Sequence, residues 1–176
     1  MIIILVILFI VFIYVLITYN AFIRQKNRIK QAEAGIDVYL TQRFELIPNL
    51  VECVKGYMKY EQEMLTKITQ MRAEYMKKKN LKDGEELNNE CNKIIAISEN
   101  YPELKANEQF LNLQRNLTKT ESQLQAARRI YNTEVNIYNN KVQMFPSNIL
   151  ASMFGFHKEE FFQAEEQMRD NVNIDI

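Results

Sequence analysis

Apolar side chains fill the first seventeen positions without interruption, MIIILVILFIVFIYVLI, and no polar face breaks the run. At about 1.5 Å per residue a helix over this run is about 26 Å long, and Thr18 and Tyr19 bring it close to the ~30 Å hydrocarbon core of a bilayer. A secretory signal wants a basic start, a shorter apolar stretch and small residues at the cleavage site. No basic side chain precedes Ile2, and Thr18-Tyr19-Asn20 is a poor cleavage context. A soluble core helix would carry a polar face. The pattern therefore predicts a transmembrane anchor over residues 1–19. Arg24, Lys26, Arg28 and Lys30 all come before the first acid, Glu33. By the positive-inside rule this basic flank stays cytoplasmic. The expected topology is a single pass through the cell membrane, N-terminus out, with the remaining domain in the cytoplasm. Tyr14 and Tyr19 are expected as interfacial aromatics, and the basic flank can also touch anionic headgroups.

Beyond the span the period changes. Ile29, Ala32, Ile36, Leu40 and Phe44 recur at spacings of three and four, one face of a helix ending near Arg43. Pro48 suits the first turn of a second helix, whose stripe is Leu50, Val54, Tyr57, Met64, Ile68, Met71 and Tyr75, with Glu61 in an apolar slot. Lys77–Glu86, KKKNLKDGEE, has no period and contains Asp-Gly, so it reads as a solvated turn. A third helix carries Leu87, Cys91, Ile94, Ile95 and Ser98 on one face, and Tyr101-Pro102 breaks it. Asn107 is an N-cap candidate for the last long helix, Asn107–Phe145. Phe110, Leu117, Leu124, Tyr131, Tyr138 and Phe145 are spaced by seven there, with Leu113, Thr120, Ala127, Val135 and Val142 between them, a coiled-coil-like seam ended by Pro146. The expected fold is all-α: an N-terminal transmembrane helix, then an antiparallel up-down four-helix bundle over 20–162 with a long C-terminal helix, and a polar tail over 163–176. The uncharged SNILASMFGF segment holds Ile149, Leu150, Met153, Phe154 and Phe156. It is either a short helix capping the bundle or an element facing lipid or a partner. The FELIPNL turn around Pro48 is expected to dock against the start of FPSNIL.

Composition adds exclusions. The 22 basic and 22 acidic residues balance, so no global field draws the chain to nucleic acid. Only four Gly and three Pro are present, which fits few, long helices. Cys53 and Cys91 match no metal or redox spacing. His157 is the only histidine, and a zinc site needs three or four ligands. Gly35, Gly56, Gly84 and Gly155 stand alone, so no phosphate-cradling loop exists. Glu33, Asp37 and Glu61 lack the Glu-x-x-His pairs of di-iron bundles. Asp37 and Glu61 are read instead as half-buried polar contacts that set helix register, with Arg43 or Arg128/Arg129 as partners. No cofactor and no enzymatic activity are expected.

The blocks IDVYLTQRFELIPNLVECVKGYMKYE, YPELKANEQFLNLQRNL, ARRIYNTEVNIYN and FPSNILASMFGF, in this order, resemble the bacterial LemA family. The resemblance covers nearly the whole chain, from the span to Phe162. It implies a single-pass membrane protein with an antiparallel helical bundle, and it carries over no catalytic or ligand-binding residue. Three positions depart from the family's pattern: Glu33 stands where a Trp follows Ala, Cys53 where Thr is usual, and Tyr60 where His is common. Relatives beside a membrane metalloprotease in some genomes make a membrane protease a candidate partner. A relative in magnetosome vesicle formation points to work on membranes. The expected function is that of a membrane-anchored scaffold or adaptor, non-enzymatic, forming homo-oligomers or binding other membrane proteins. The alternative is a membrane-shaping or envelope-stress protein acting directly on lipid.

Overall fold

The computed structural model describes residues 1–58 and 61–162, so Tyr60 and the expected tail over 163–176 lie outside the described residues. Every regular element among the described residues is a helix: α1 Ile2–Phe44, α2 Ile47–Lys55, α3 Gln62–Lys78, α4 Leu81–Ser98, α5 Pro102–Lys105, α6 Glu108–Gln143 and α7 Ser147–Phe154. The chain forms two compact units. Of the described residues, the first holds 1–33 and 128–162, and the second holds those within 34–127.

In the first unit α1 begins with a bare apolar stretch. An 18-residue window there has a mean hydropathy of 3.2 and none of it is buried. Burial begins at Phe22. From there α1 runs antiparallel to the end of α6: the Gln25 amide donates to the Glu134 carbonyl at 3.2 Å and to its carboxylate at 2.5 Å, and Phe22 meets Tyr138 edge to face at 6.1 Å. Phe22, Ile29, Val135, Tyr138, Ala151 and Phe156 close one apolar core.

In the second unit the stripe of α1 is buried as its spacing predicts, at Ile36, Leu40 and Phe44. Pro48 sits in the first turn of α2. Its neighbours Ile47 and Leu50 are buried in this unit, whereas FPSNIL, the segment expected to receive the turn, belongs to the first unit. The expected second helix is two helices, α2 and α3. Glycine is a poor helix former, and α2 ends at Gly56 with Tyr57 and Met58 both donating back to the Val54 carbonyl. Glu61 precedes the first residue of α3 and accepts from the Tyr101 hydroxyl at 2.8 Å. That is why an acid occupies the apolar slot.

The expected long turn over 77–86 shrinks to two residues. Lys79 adopts a left-handed φ of 51° and closes α3, and the Asn80 side chain accepts from the Lys82 amide at 2.8 Å to start α4. Asp83 then lies in the first helical turn, where its charge complements the helix dipole. Gly84 lies inside the helix because a Cβ there would meet the Tyr75 ring at 2.7 Å and Leu40 at 2.9 Å. The α3–α4 hairpin is fastened by Lys67 on Glu90 at 3.0 Å, and this hydrogen bond holds the Glu90 carboxyl below its usual range. Gly84→Ala gains about 1 kcal/mol of helix propensity but overpacks a buried aromatic ring, which costs about 1–3 kcal/mol. A net fall in melting temperature of a few degrees is expected. A rise on calorimetry would show that Tyr75 yields freely.

The α6 seam starts as read. The Asn107 side chain accepts from the amides of Gln109 at 2.9 Å and Phe110 at 3.1 Å, and Phe110, Leu117, Leu124, Val135 and Tyr138 are buried. It ends sooner than expected. Phe145 is 80% exposed, because α6 stops at Gln143 and the chain turns through Pro146. The Ser147 hydroxyl donates to the Lys141 carbonyl at 2.7 Å and the Met144 carbonyl at 2.9 Å across that turn.

Candidate functional site

The residues singled out by sequence fall into two groups in the first unit. Tyr14 stands exposed on the bare stretch of α1. Tyr19, one and a half turns further on, does not stand alone. Its ring lies 5.1 Å from Phe154 and 5.8 Å from Phe156, and Phe156 stacks on Phe22 at 4.7 Å. The span end and the apolar segment after Pro146, read separately in the sequence, are thus brought together by four aromatic rings. Arg24, Arg28 and Lys30 are exposed, while Lys26 pairs with Glu159 at 3.3 Å.

The segment 149–156 is two-sided. Leu150 and Phe156 turn inward with Ala151. Ile149, Met153 and Phe154 turn outward, 58%, 62% and 42% exposed. Met144, which no spacing rule marks, and Phe145, the last position of the expected seam, add to the outward side. Inward and outward residues thus alternate along α7 and the two residues after it.

After α7 the chain runs without helix along α6, held by two asparagines. The Asn139 amide donates to the Glu159 carbonyl at 2.8 Å and its oxygen accepts from the Glu159 amide at 2.9 Å. Asn132 does the same for Phe162, at 2.9 and 2.7 Å. Seven residues of helix rise about 10.5 Å, and three extended residues span about 10 Å, so the two clamps match in length. Phe162 also packs edge to face on Tyr131 at 5.9 Å and under Arg128 at 5.5 Å. Burial, and then the nearby Glu33, Glu159 and Glu160 carboxylates, raise the pKa of Tyr131, while burial and Glu159 raise that of Tyr138. Sequence reasoning missed both clamps. The seven-residue spacing of Asn132 and Asn139, each following a seam tyrosine, was the available signal. Asn139→Ala leaves the Glu159 backbone pair partly buried and unpaired, a loss of about 1–3 kcal/mol. Tryptic cleavage after Lys158 in the full chain should then speed up by about five- to a hundredfold, since each 1.4 kcal/mol is a factor of ten in the open population. An unchanged rate would mean that the clamps do not hold the segment.

The second unit holds a buried polar cluster and an open groove. Arg43, 1% exposed, donates to the Leu117 carbonyl at 2.9 Å and to the Asn92 side chain at 2.5 Å, and pairs with Glu121 at 2.8 Å. The expected partners are corrected here. Asp37 accepts from the Tyr75 hydroxyl and lies 3.6 Å from Lys79, and Glu61 meets Tyr101, because helix packing rather than chain proximity sets which charges meet. Cys91 is buried as read, and burial pushes its thiol up from 9.0 to about 12. Cys53, half-buried, lines a groove of about 640 Å³ with Asn49, Glu52, Gln109, Asn112 and Asn116. Among the described residues no group of three or more His, Cys, Asp or Glu is placed to hold a metal ion.

These features define an all-helical protein with one long apolar N-terminal helix, compatible with membrane anchoring. The LemA family model matches residues 32–176, and the chain belongs to that family, whose members are membrane-associated. The protein named LemA from Metamycoplasma hominis is 28% identical over 159 residues, covering 88% of this chain and 73% of that relative. Magnetosome proteins MamQ 1 and MamQ 2 of Paramagnetospirillum magneticum are each 28% identical over 75 residues, covering 43% of this chain and 28% of their own length.

Proposed function

We propose that this protein is a single-pass membrane-anchored scaffold or adaptor, non-enzymatic, with its N-terminus outside and its helical domain at the cytoplasmic face. The observation that carries the reading lies in the first unit: α1 is bare and apolar over its first turns and packs into a helical core from Phe22 on. A stiff arm of this kind transmits the position of the bilayer to the domain without a flexible linker. The basic flank Arg24–Lys30 supports the orientation. In the second unit, the end of α1, α2 with α3, α4 and the first half of α6 supply the four arms of an antiparallel bundle. The amide-rich groove around Cys53 offers side chains that both donate and accept, which suits holding a peptide more than breaking bonds. Expected partners are a second copy or other membrane proteins, a membrane protease among them.

The test is crosslinking in intact membranes followed by mass spectrometry. Self-crosslinks or one dominant membrane partner bonded through the helical domain support the reading. Monomer alone, at crosslinker doses that trap known complexes, would overturn it. A second reading, direct action on lipid in membrane shaping or envelope stress, is favoured by the outward apolar residues of α7 beside Tyr19.

A further inference from the structure

From Val142 to Phe156 the chain carries no charged residue. A helix with that composition in water would turn its apolar side chains inward. α7 does so with one face only. Ala151 joins the core with Phe156 and Leu150 is buried, while Met144, Phe145, Ile149, Met153 and Phe154 lie on the outside, from 42% to 80% exposed. Ile149 and Met153 are four apart and share one side of the helix.

Where this face lies decides what meets it. Phe154 and Phe156 hold α7 against Tyr19 and Phe22, at the end of the apolar run. The antiparallel pairs Gln25–Glu134 and Phe22–Tyr138 fix the register of α6 on α1. Continued toward the N-terminus of α1, that register sets residues 142–145 beside the last turn of the run. Val15 and Thr18 are half-buried there, whereas the rest of the run is exposed. The outward residues of α7 and of the turn before it therefore continue the bare apolar surface of the span. Lys158 follows on the exposed side, with Arg24 on α1, where cations meet headgroups.

We propose that α7 is a second membrane contact. It lies in the boundary between headgroups and acyl chains of the leaflet nearest the helical domain, with Met144, Phe145, Ile149, Met153 and Phe154 turned into lipid. A single crossing helix leaves rotation about its axis free, and tilt and rotation are set by packing and interfacial anchors. A second contact, fastened to Tyr19 and Phe22 by ring contacts, fixes both, so the domain presents one defined side to its surroundings. The inference rests on the anchored reading of α1. Lipid is favoured over a protein partner because the face is continuous with the span, at the same depth.

The chain contains no tryptophan, so single replacements at exposed positions give an unambiguous fluorescent probe. The full chain is reconstituted in phosphatidylcholine–phosphatidylglycerol vesicles as Ile149→Trp, Met153→Trp, Phe9→Trp within the span, and Asn136→Trp on the exposed side of α6. Lipids brominated near the carbonyl end of the acyl chain should quench Ile149→Trp and Met153→Trp at least twofold. Lipids brominated near the methyl end should quench Phe9→Trp, and only aqueous iodide should quench Asn136→Trp. Quenching of the two α7 probes by iodide alone, with Phe9→Trp still in lipid, overturns the inference and leaves the anchor standing. Shielding of the α7 probes from both quenchers also overturns it, and shows a protein covering the face. Phe9→Trp outside lipid overturns the anchored reading and the inference together.

Discussion

Replacing Arg43 with methionine is expected to lower stability by about 3–5 kcal/mol, the cost typical of breaking a buried ion pair from one side. Arg43 closes α1 with its guanidinium buried against three acceptors: the Leu117 carbonyl, Asn92 and Glu121. Methionine keeps the packing volume but leaves Asn92 and the Glu121 carboxylate facing an apolar side chain. Glu121, 24% exposed, can turn partly to water, which places the cost toward the lower end of that range. Glu121→Gln keeps a neutral acceptor and should cost less, about 1–2 kcal/mol. Domains of this size hold only about 5–15 kcal/mol in all, so Arg43→Met should lower the melting temperature by roughly 10 °C in detergent, read by circular dichroism. The double variant should fall short of the sum of the singles by about 1 kcal/mol or more, the signature of a coupled pair. A fall of less than 2 °C for Arg43→Met would show the cluster to be incidental.

The Arg43 cluster also shows where sequence reasoning stops. The seam of α6 was legible because a helix that buries one stripe must repeat it, and Phe110, Leu117 and Leu124 do. Thr120, a polar residue within that stripe, marked the layer that Arg43 fills: its hydroxyl shares the Leu117 carbonyl with the guanidinium. Which charge would face it was not legible, since partners come from helices far apart in the chain. The break after Gly56 hid for another reason. Leu50, Val54, Ile68 and Tyr75 stay in phase on both sides, so the stripe runs through an interruption that backbone geometry alone imposes. Asp83-Gly84 misled because its turn preference was outweighed by the Tyr75 ring, which needs a residue without Cβ opposite it. The uncharged 142–156 segment was legible as apolar, but spacing fits inward and outward faces equally. Only the ring contacts with Tyr19 and Phe22 tell Phe156 from Ile149.

The second large effect concerns the span. From Ile2 to Ile17 every residue but Tyr14 is Ile, Leu, Val or Phe. At about 0.3–0.6 kcal/mol each, these fifteen residues favour insertion by roughly 4–9 kcal/mol. An arginine near the centre costs about 3 kcal/mol and forfeits the residue it replaces. Phe9→Arg should therefore remain in the membrane pellet after alkaline extraction. Adding Phe12→Arg brings the balance near zero, and a third change, Leu5→Arg, should move most of the chain to the soluble fraction. A single substitution that releases the protein would mean that α1 rests on the surface rather than crossing. The basic flank is tested separately. Converting Arg24, Lys26, Arg28 and Lys30 to glutamine leaves the apolar run intact but removes the charges on which the proposed orientation rests. Protease added outside intact cells should then reach the helical domain in a substantial fraction of molecules, whereas the unaltered chain stays protected. Among the described residues that change removes only the Lys26–Glu159 pair, whose members are 44% and 36% exposed, so it is worth little. A change in protease access would thus report orientation rather than unfolding.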